Sequence, residues 1–389
     1  MGTVILHKAQ YDYSSLKPTV DRMLDRIGSL RIPTGARVLI KPNFLAPAGP
    51  DRAMTTHPLV LRAVVEYVLE KGGRPRVFDS PGLGSFQRVL RKGGYAQALG
   101  GLDVELRPFT ETVKVDIDEP FGRIDIAREA VASDVVINLP KLKTHTQMLL
   151  TLGVKNLFGC IVGLTKPEWH MRSGVDRQMF ARLLVQIHRA IHPAATLLDG
   201  ILAMEGEGPG RSGTPRKLGI LAAGASAPAV DVAVCRLVGI RPELLPTHRA
   251  AMDLGLVPET VAIAEDVPPV RGFNLPVLAP LTFGPKRLQR LMRRHLVQRP
   301  VVDPAKCRLC GECWRYCPAK AITPYTQIVG FDYDRCIRCY CCIEMCPHGA
   351  LKSVETQPGK VVRHLAGVRD RITLRMGRKG VRRRRPLPH

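Results

Sequence analysis

Along residues 1–270 two hydrophobic periods alternate. Short aliphatic and β-branched runs predict strands: "TVILHKA", "ARVLIKP", "RPRVFDS", "DVELRPF", "SDVVINLP", "ATLLDG", "KLGILAAG" and "ETVAIAE". Between them lie stretches with apolar residues three and four apart, which predict helices: "HPLVLRAVVEYVLEKGG", "IDIAREAVA", "RQMFARLLVQIHRAIH" and "PAVDVAVCRLVGI". Gly72-Gly73 reads as a helix stop and Asp176 as a helix N-cap. This alternation predicts an α/β fold, a mostly parallel sheet with helices on both faces. Several runs are apolar throughout, as strands buried on both sides require.

The pattern changes near residue 271. Residues 271–283 are rich in proline and glycine and read as a linker. Residues 284–299 place Leu288, Leu291, Met292 and Leu296 on one stripe of a basic amphipathic helix. Residues 300–356 form a small cysteine-rich module, and residues 357–389 a basic tail expected to be disordered.

Composition narrows the class. The 389 residues are 45% hydrophobic and 24% charged, which suits a soluble globular protein. No apolar stretch approaches the ~20 residues of a membrane span. The start lacks a signal-peptide pattern, so a cytoplasmic location is expected. Of the net charge of +24, residues 284–299 supply +6 and residues 363–389 supply +9. Such stretches suit an acidic redox partner, or peripheral contact of the tail with an anionic membrane. Nucleic acid is disfavoured, because no aromatic platform or recognition module accompanies the charge.

Nine of the eleven cysteines fall between Cys307 and Cys346, which points to metal ligation rather than disulfides. Cys307, Cys310, Cys313 and Cys317 follow the spacing C-x2-C-x2-C-x3-C-P, and Cys336, Cys339, Cys342 and Cys346 repeat it 29 residues later. Zinc sites use two pairs of ligands and fit two such runs poorly. The module resembles the two-cluster bacterial ferredoxins, of small α+β fold. That resemblance implies two [4Fe–4S] clusters with an exchanged fourth ligand. One would be held by Cys307, Cys310, Cys313 and Cys346, the other by Cys336, Cys339, Cys342 and Cys317. Cys341 has no counterpart in the first repeat and is spare.

In the larger part, polar residues gather where apolar strands end. "VLIKPNF" carries Lys41 and Asn43; "VVINLPKLKTHTQ" carries Asn138, Lys141, Lys143, Thr144 and His145; "GVKNLFG" carries Lys155 and Asn156. Ligands of open α/β sheets bind beyond the strand ends, so these residues could share an anion site. Solvated lysines and turn asparagines are the ordinary alternative. "LLDGILAMEGEGPGRSG" offers Asp199, and then Glu205 and Glu207 in a glycine-rich loop, where acids could hold a divalent cation. It contains neither a Walker loop nor a dinucleotide fingerprint. "VFDSPGLGS", with Asp79 and Ser80, is a further candidate, as are His57 and His170.

"IKPNF", "NLPKLKTH", "VKNLFG" and "DGILAMEGEGP", in that order, resemble the family catalogued as domain of unknown function 362, over about residues 35–265. The resemblance places Lys41, Asn43, Lys141, Lys143, Thr144, His145, Lys155, Asn156, Gly159, Asp199, Glu205 and Gly206 in the signature stretches and implies no reaction. Ser226 stands where members commonly carry an aspartate; Asp231 is kept. The function expected is an iron–sulfur oxidoreductase. Electrons would pass to a small anionic substrate or a cofactor, with Lys141, Lys143 and His145 catalytic and Lys41, Asn43, Lys155, Asn156, Asp199 and Glu205 binding. The alternative is a non-catalytic electron carrier whose α/β part docks a redox partner protein.

Overall fold

The computed structural model describes residues 2–163, 165–173, 176–264, 267–276, 291–292 and 294–361. Eight strands form the path of one sheet. They are β1 (Gly2–Lys8), β2 (Arg37–Pro42), β3 (Arg74–Asp79), β4 (Glu105–Pro108), β7 (Val135–Leu139), β10 (Ala195–Gly206), β11 (Gly213–Gly224) and β12 (Val261–Ile263). Their order is β12-β1-β11-β10-β7-β2-β3-β4. The run from β10 to β4 is parallel, whereas β11 is antiparallel to both β10 and β1.

Alternation along each strand divides the core. Val38 and Ile40 of β2, with Ile137 and Leu139 of β7, pack on one face against helices Tyr13–Asp25 and Pro58–Glu70. Leu39 and Val136 face the other side, against helix Arg177–Ile191. Leu198, Ile220 and Ala222 pack on helix Ala227–Leu237. Each fully buried side chain of this kind contributes roughly 1.5–3 kcal/mol. Asp176 caps its helix by accepting from Gln178 N at 2.8 Å and Met179 N at 3.1 Å.

Three readings change. "IDIAREAVA" is only half helical: Ile124 and Ile126 are buried at strand period in β6 (Arg123–Ala127), which pairs with β5 (Thr112–Asp116). "KLKTH" is itself a strand, β8 (Lys141–His145), paired with β10 and with β9 (Leu149–Thr151). The glycine-rich loop is shorter than the composition suggested, because β10 runs past Asp199 to Gly206 over a bulge between Gly200 and Leu202. The proposed basic helix lies partly outside the described residues, as does most of the tail, and Arg299 already begins a strand.

The cysteine module pairs β13 (Arg299–Val302) with β16 (Leu351–Val354), and β14 (Ile322–Pro324) with β15 (Val329–Phe331). Short helices Glu312–Arg315 and Cys341–Met345 carry cysteines. Met345 enters an apolar seam with Ala46, Ala53, Met54, Leu83 and Met204 of the α/β part, so the module packs against the ends of β2 and β3.

Candidate functional site

Two polar clusters form beside the strand ends. The first centres on Asp199. Its Oδ2 accepts from Lys141 Nζ at 2.7 Å and His57 N at 2.9 Å; its Oδ1 accepts from Tyr11 OH at 2.8 Å and Ile201 N at 3.2 Å. Tyr11 also accepts from Lys141 at 2.9 Å and stacks on His57 with ring centroids 3.5 Å apart. Burial holds the His57 imidazole down to about 4, so it is neutral at pH 7. The Asp199 carboxylate is fully buried and its lone pairs are taken.

The second cluster lines a cavity of about 340 Å³ between the α/β part and the cysteine module. Lys41, Lys143, Lys155 and Lys166 face it, with Asp79 and Glu344 as its two carboxylates. Lys41 Nζ lies 2.9 Å from Asp79 Oδ1 and donates to Pro42 O at 2.7 Å. Gly159 backs this pair: a Cβ there would stand 2.6 Å from both Asp79 Oδ1 and Lys41 Nζ, so only glycine fits. Lys166 bonds Ser80 O. Lys155 makes no hydrogen bond or close ion pair among the described residues; across the space its charge is felt by Glu344. Burial pushes Lys143 down to about 7, helped by Lys155, and Lys166 down to about 8, helped by Lys41. His170 lines the same space with its Nδ1 unpartnered, and burial holds its ring down to about 3.

A chain of amides fixes Lys143. Its Nζ donates to Met54 O and to Asn43 Oδ1, both at 2.7 Å. Asn43 Nδ2 donates to Asn156 Oδ1 at 2.8 Å, Asn156 Nδ2 to Asn138 Oδ1 at 2.8 Å, and Asn138 Nδ2 to Gly153 O at 3.0 Å. Asp231 accepts from Gly153 N at 2.7 Å, and burial raises its carboxyl to about 7. Ser226 caps helix Ala227–Leu237, accepting from Ala229 N at 3.3 Å, a task an aspartate could also perform.

His145 joins the two parts of the chain. Its Nδ1 accepts from Gln147 N at 3.1 Å and Met148 N at 3.2 Å, which leaves the proton on Nε2, 2.7 Å from Glu344 Oε1. Burial and Lys155 keep the ring down to about 4. Burial alone would raise Glu344; His145 and Lys155 outweigh it and hold the carboxylate ionised. Glu344 and Cys341 also form part of the cavity wall.

The cysteines sort into two groups. One small cavity is lined by Cys307, Cys310, Cys313 and Cys346; a second is lined by Cys317, Cys336, Cys339 and Cys342, with Cys341 beside them. Each therefore collects three thiols of one repeat and the last thiol of the other, a donor set that suits a cubane. Backbone N–H groups of Ala350 and Ala321 reach the crossing sulfurs Cys346 and Cys317 at 3.2 and 3.3 Å. Cys310 is exposed, whereas Cys341 is buried and shared between the second group and the large cavity.

The candidates thus separate. Lys41, Asn43, Lys143, Lys155 and Asn156 line the cavity, as do Asp79, Ser80 and His170. Lys141 and Asp199 close on each other elsewhere, and His145 Nε2 lies beside Glu344 Oε1 at 2.7 Å. Glu205 is bound by Arg216 at 2.7 Å and Asn274 N at 3.0 Å, and Glu207 accepts from Ser353 at 3.1 Å, so the two acids do not converge on a cation. Tyr316, Glu344 and Met345 escape a reading of the sequence, because only the packing of the two parts brings them to the cavity, and Lys166 escapes it because its contact with Ser80 is long-range.

Residues 38–236 match the family described as domain of unknown function (DUF362), and residues 299–347 match the 4Fe-4S dicluster domain. A thylakoid-associated protein of Synechocystis is 37% identical over 308 residues, covering 77% of this chain and 96% of that protein. Subunit PorD of the Thermotoga maritima pyruvate synthase is 42% identical over 57 residues, 14% of this chain and 58% of the subunit. The delta subunit of the NADH-dependent phenylglyoxylate dehydrogenase of Aromatoleum evansii is 39% identical over 49 residues, 13% of this chain and 53% of the subunit. The match thus spans little more than half of either subunit. Lactate racemase apoprotein from Thermoanaerobacterium thermosaccharolyticum aligns at a TM-score of 0.42 with 13% identity, over 61% of this chain and 57% of that one. The cysteine module is thus a [4Fe–4S] electron-transfer module. Among the described residues no helix is long and apolar enough to cross a membrane.

Proposed function

The chain belongs to the DUF362 family and carries a 4Fe-4S dicluster domain, and from that premise we propose that it is an oxidoreductase that reduces or oxidises a small anionic molecule held in the lysine-lined cavity. When bound, the clusters supply or accept single electrons. Cys307, Cys310, Cys313 and Cys346 would hold the outer one, and Cys317, Cys336, Cys339 and Cys342 the inner one. The observation that carries the reading is Cys341, which belongs both to the wall of the inner cysteine group and to the wall of the cavity. Lys143 and Lys155 would bind and orient the anion, and His170 lines the same space. Lys141 and His145 take positioning roles: the first closes on Asp199, and the second holds Glu344 and with it the module. A redox partner protein would reach the outer group at exposed Cys310.

Protein purified without oxygen should retain a small anion, which changes redox state when the clusters are reduced. A Lys143→Met/Lys155→Met variant should keep its iron and sulfide and release that molecule. Retention by the double variant, or a bound molecule indifferent to cluster reduction, would sink the assignment.

A further inference from the structure

The cavity carries more information than its sign. Lys41 and Asp79 neutralise each other. The remaining charged groups on the wall are Lys143, Lys155 and Lys166 against Glu344 alone, an excess of two positive charges when all are protonated. The three lysines also keep unused donors. Lys143 spends two of its N–H groups, on Asn43 and Met54, and Lys166 one, on Ser80. Lys155 spends none among the described residues. Lys143 and Lys155 stand near enough to repel each other, with no carboxylate bonded to either. With Lys143 buried and Lys155 and Lys166 half-buried, such an arrangement is costly until an anion enters it.

The rest of the wall mixes neutral polar groups, among them Asn43, Asn156, Ser80 and His170, with an apolar part. Phe44, Phe158, Tyr316 and Met345 border the same space. A volume of about 340 Å³ is within the range of small-molecule pockets and far exceeds a bare oxyanion. We propose that the cavity binds an organic dianion, with a doubly charged phosphate-type head between Lys143, Lys155 and Lys166 and a flat apolar body against Phe44 and Phe158. The proposal rests on the cavity being the ligand site described above and specifies the ligand's chemistry.

The probe is phenyl phosphate, titrated calorimetrically into the full cluster-loaded chain at fixed salt. Inorganic phosphate, benzoate and benzyl alcohol serve as comparisons. Phenyl phosphate should bind at least tenfold more tightly than each. Lys155→Met and Lys143→Met should each weaken it tenfold or more, while the cluster absorbance and the unfolding midpoint of Lys155→Met stay as in the parent. Inorganic phosphate binding as tightly would remove the apolar body, and benzyl alcohol binding as tightly would remove the dianion. No binding by any probe, or binding that both substitutions leave untouched, would overturn the site. These readouts need no electron transfer. A tight dianion site whose occupant never changes redox state would refute the oxidoreductase reading alone.

Discussion

The two polar clusters use the same residue types and do different things with them. Around Asp199 each carboxylate oxygen accepts two hydrogen bonds, and Lys141 meets both a carboxylate and a phenol. Around the cavity, Lys155 meets nothing closely among the described residues, and Lys143 and Lys166 keep spare protons. A saturated buried pair is structure; an unsaturated set of buried and half-buried cations facing open space is what we propose as the binding site. The difference between them is countable, which gives it consequences.

The largest effect should come from breaking the closed cluster. Asp199→Ala would leave Lys141 buried without its counter-charge, at a cost of about 3–5 kcal/mol in denaturant unfolding. Lys155→Met should cost less than about 1 kcal/mol, since it removes a cation that has no bonded partner among the described residues. Equal losses from the two would erase the distinction.

A middle-sized effect concerns pH. Burial holds Lys143 down to about 7 and Lys166 down to about 8. Lys155, Glu344, Lys141 and Asp79 face the first; Asp79, Lys41 and Cys160 face the second. Anion binding needs the protonated amines, so the affinity for phenyl phosphate should fall as pH rises from 7 to 9, by up to about tenfold per unit for each proton taken up. The empty protein should behave oppositely. Above pH 7 the unfolded lysines keep protons that the folded ones have released, so these groups make folding more favourable as pH rises toward their ordinary range. Affinity that is flat across the interval would remove both lysines from the site.

The smallest effect tests Ser226. Ser226→Ala should cost about 1 kcal/mol through the lost cap, and Ser226→Asp almost nothing. A large loss with aspartate would show that residue 226 does more than cap.

Much of this was legible in the sequence. The eight strands of the sheet path follow short apolar runs, several of them apolar throughout because alternate residues serve opposite faces and both faces are covered. The cysteine spacing marked two repeats with three closely spaced thiols each, and the exchange of the fourth ligand was implied by the resemblance to the two-cluster ferredoxins. "KLKTH" was not legible as a strand. Its lysines look solvated, and only the pairing of β8 with β10 and the packed module explain why they are buried. For the same reason Lys141 and His145 looked like partners of Lys143. They sit on alternate positions of one strand, yet Asp199 takes one and Glu344 the other. Lys166 and Glu344 carry no local signal, since each gains meaning from contacts more than eighty residues away.

The amide chain from Lys143 to Gly153 has a direction. An ammonium can only donate and a carbonyl can only accept, so the two ends dictate which way Asn43, Asn156 and Asn138 must point. Turning any one amide over would set donor against donor on one side and acceptor against acceptor on the other. The three asparagines therefore act as one directed hydrogen-bonded unit. Exchanging a single member would leave a polar atom of each neighbour without its partner, while Lys143 and the Gly153 carbonyl would still set the direction of the two ends.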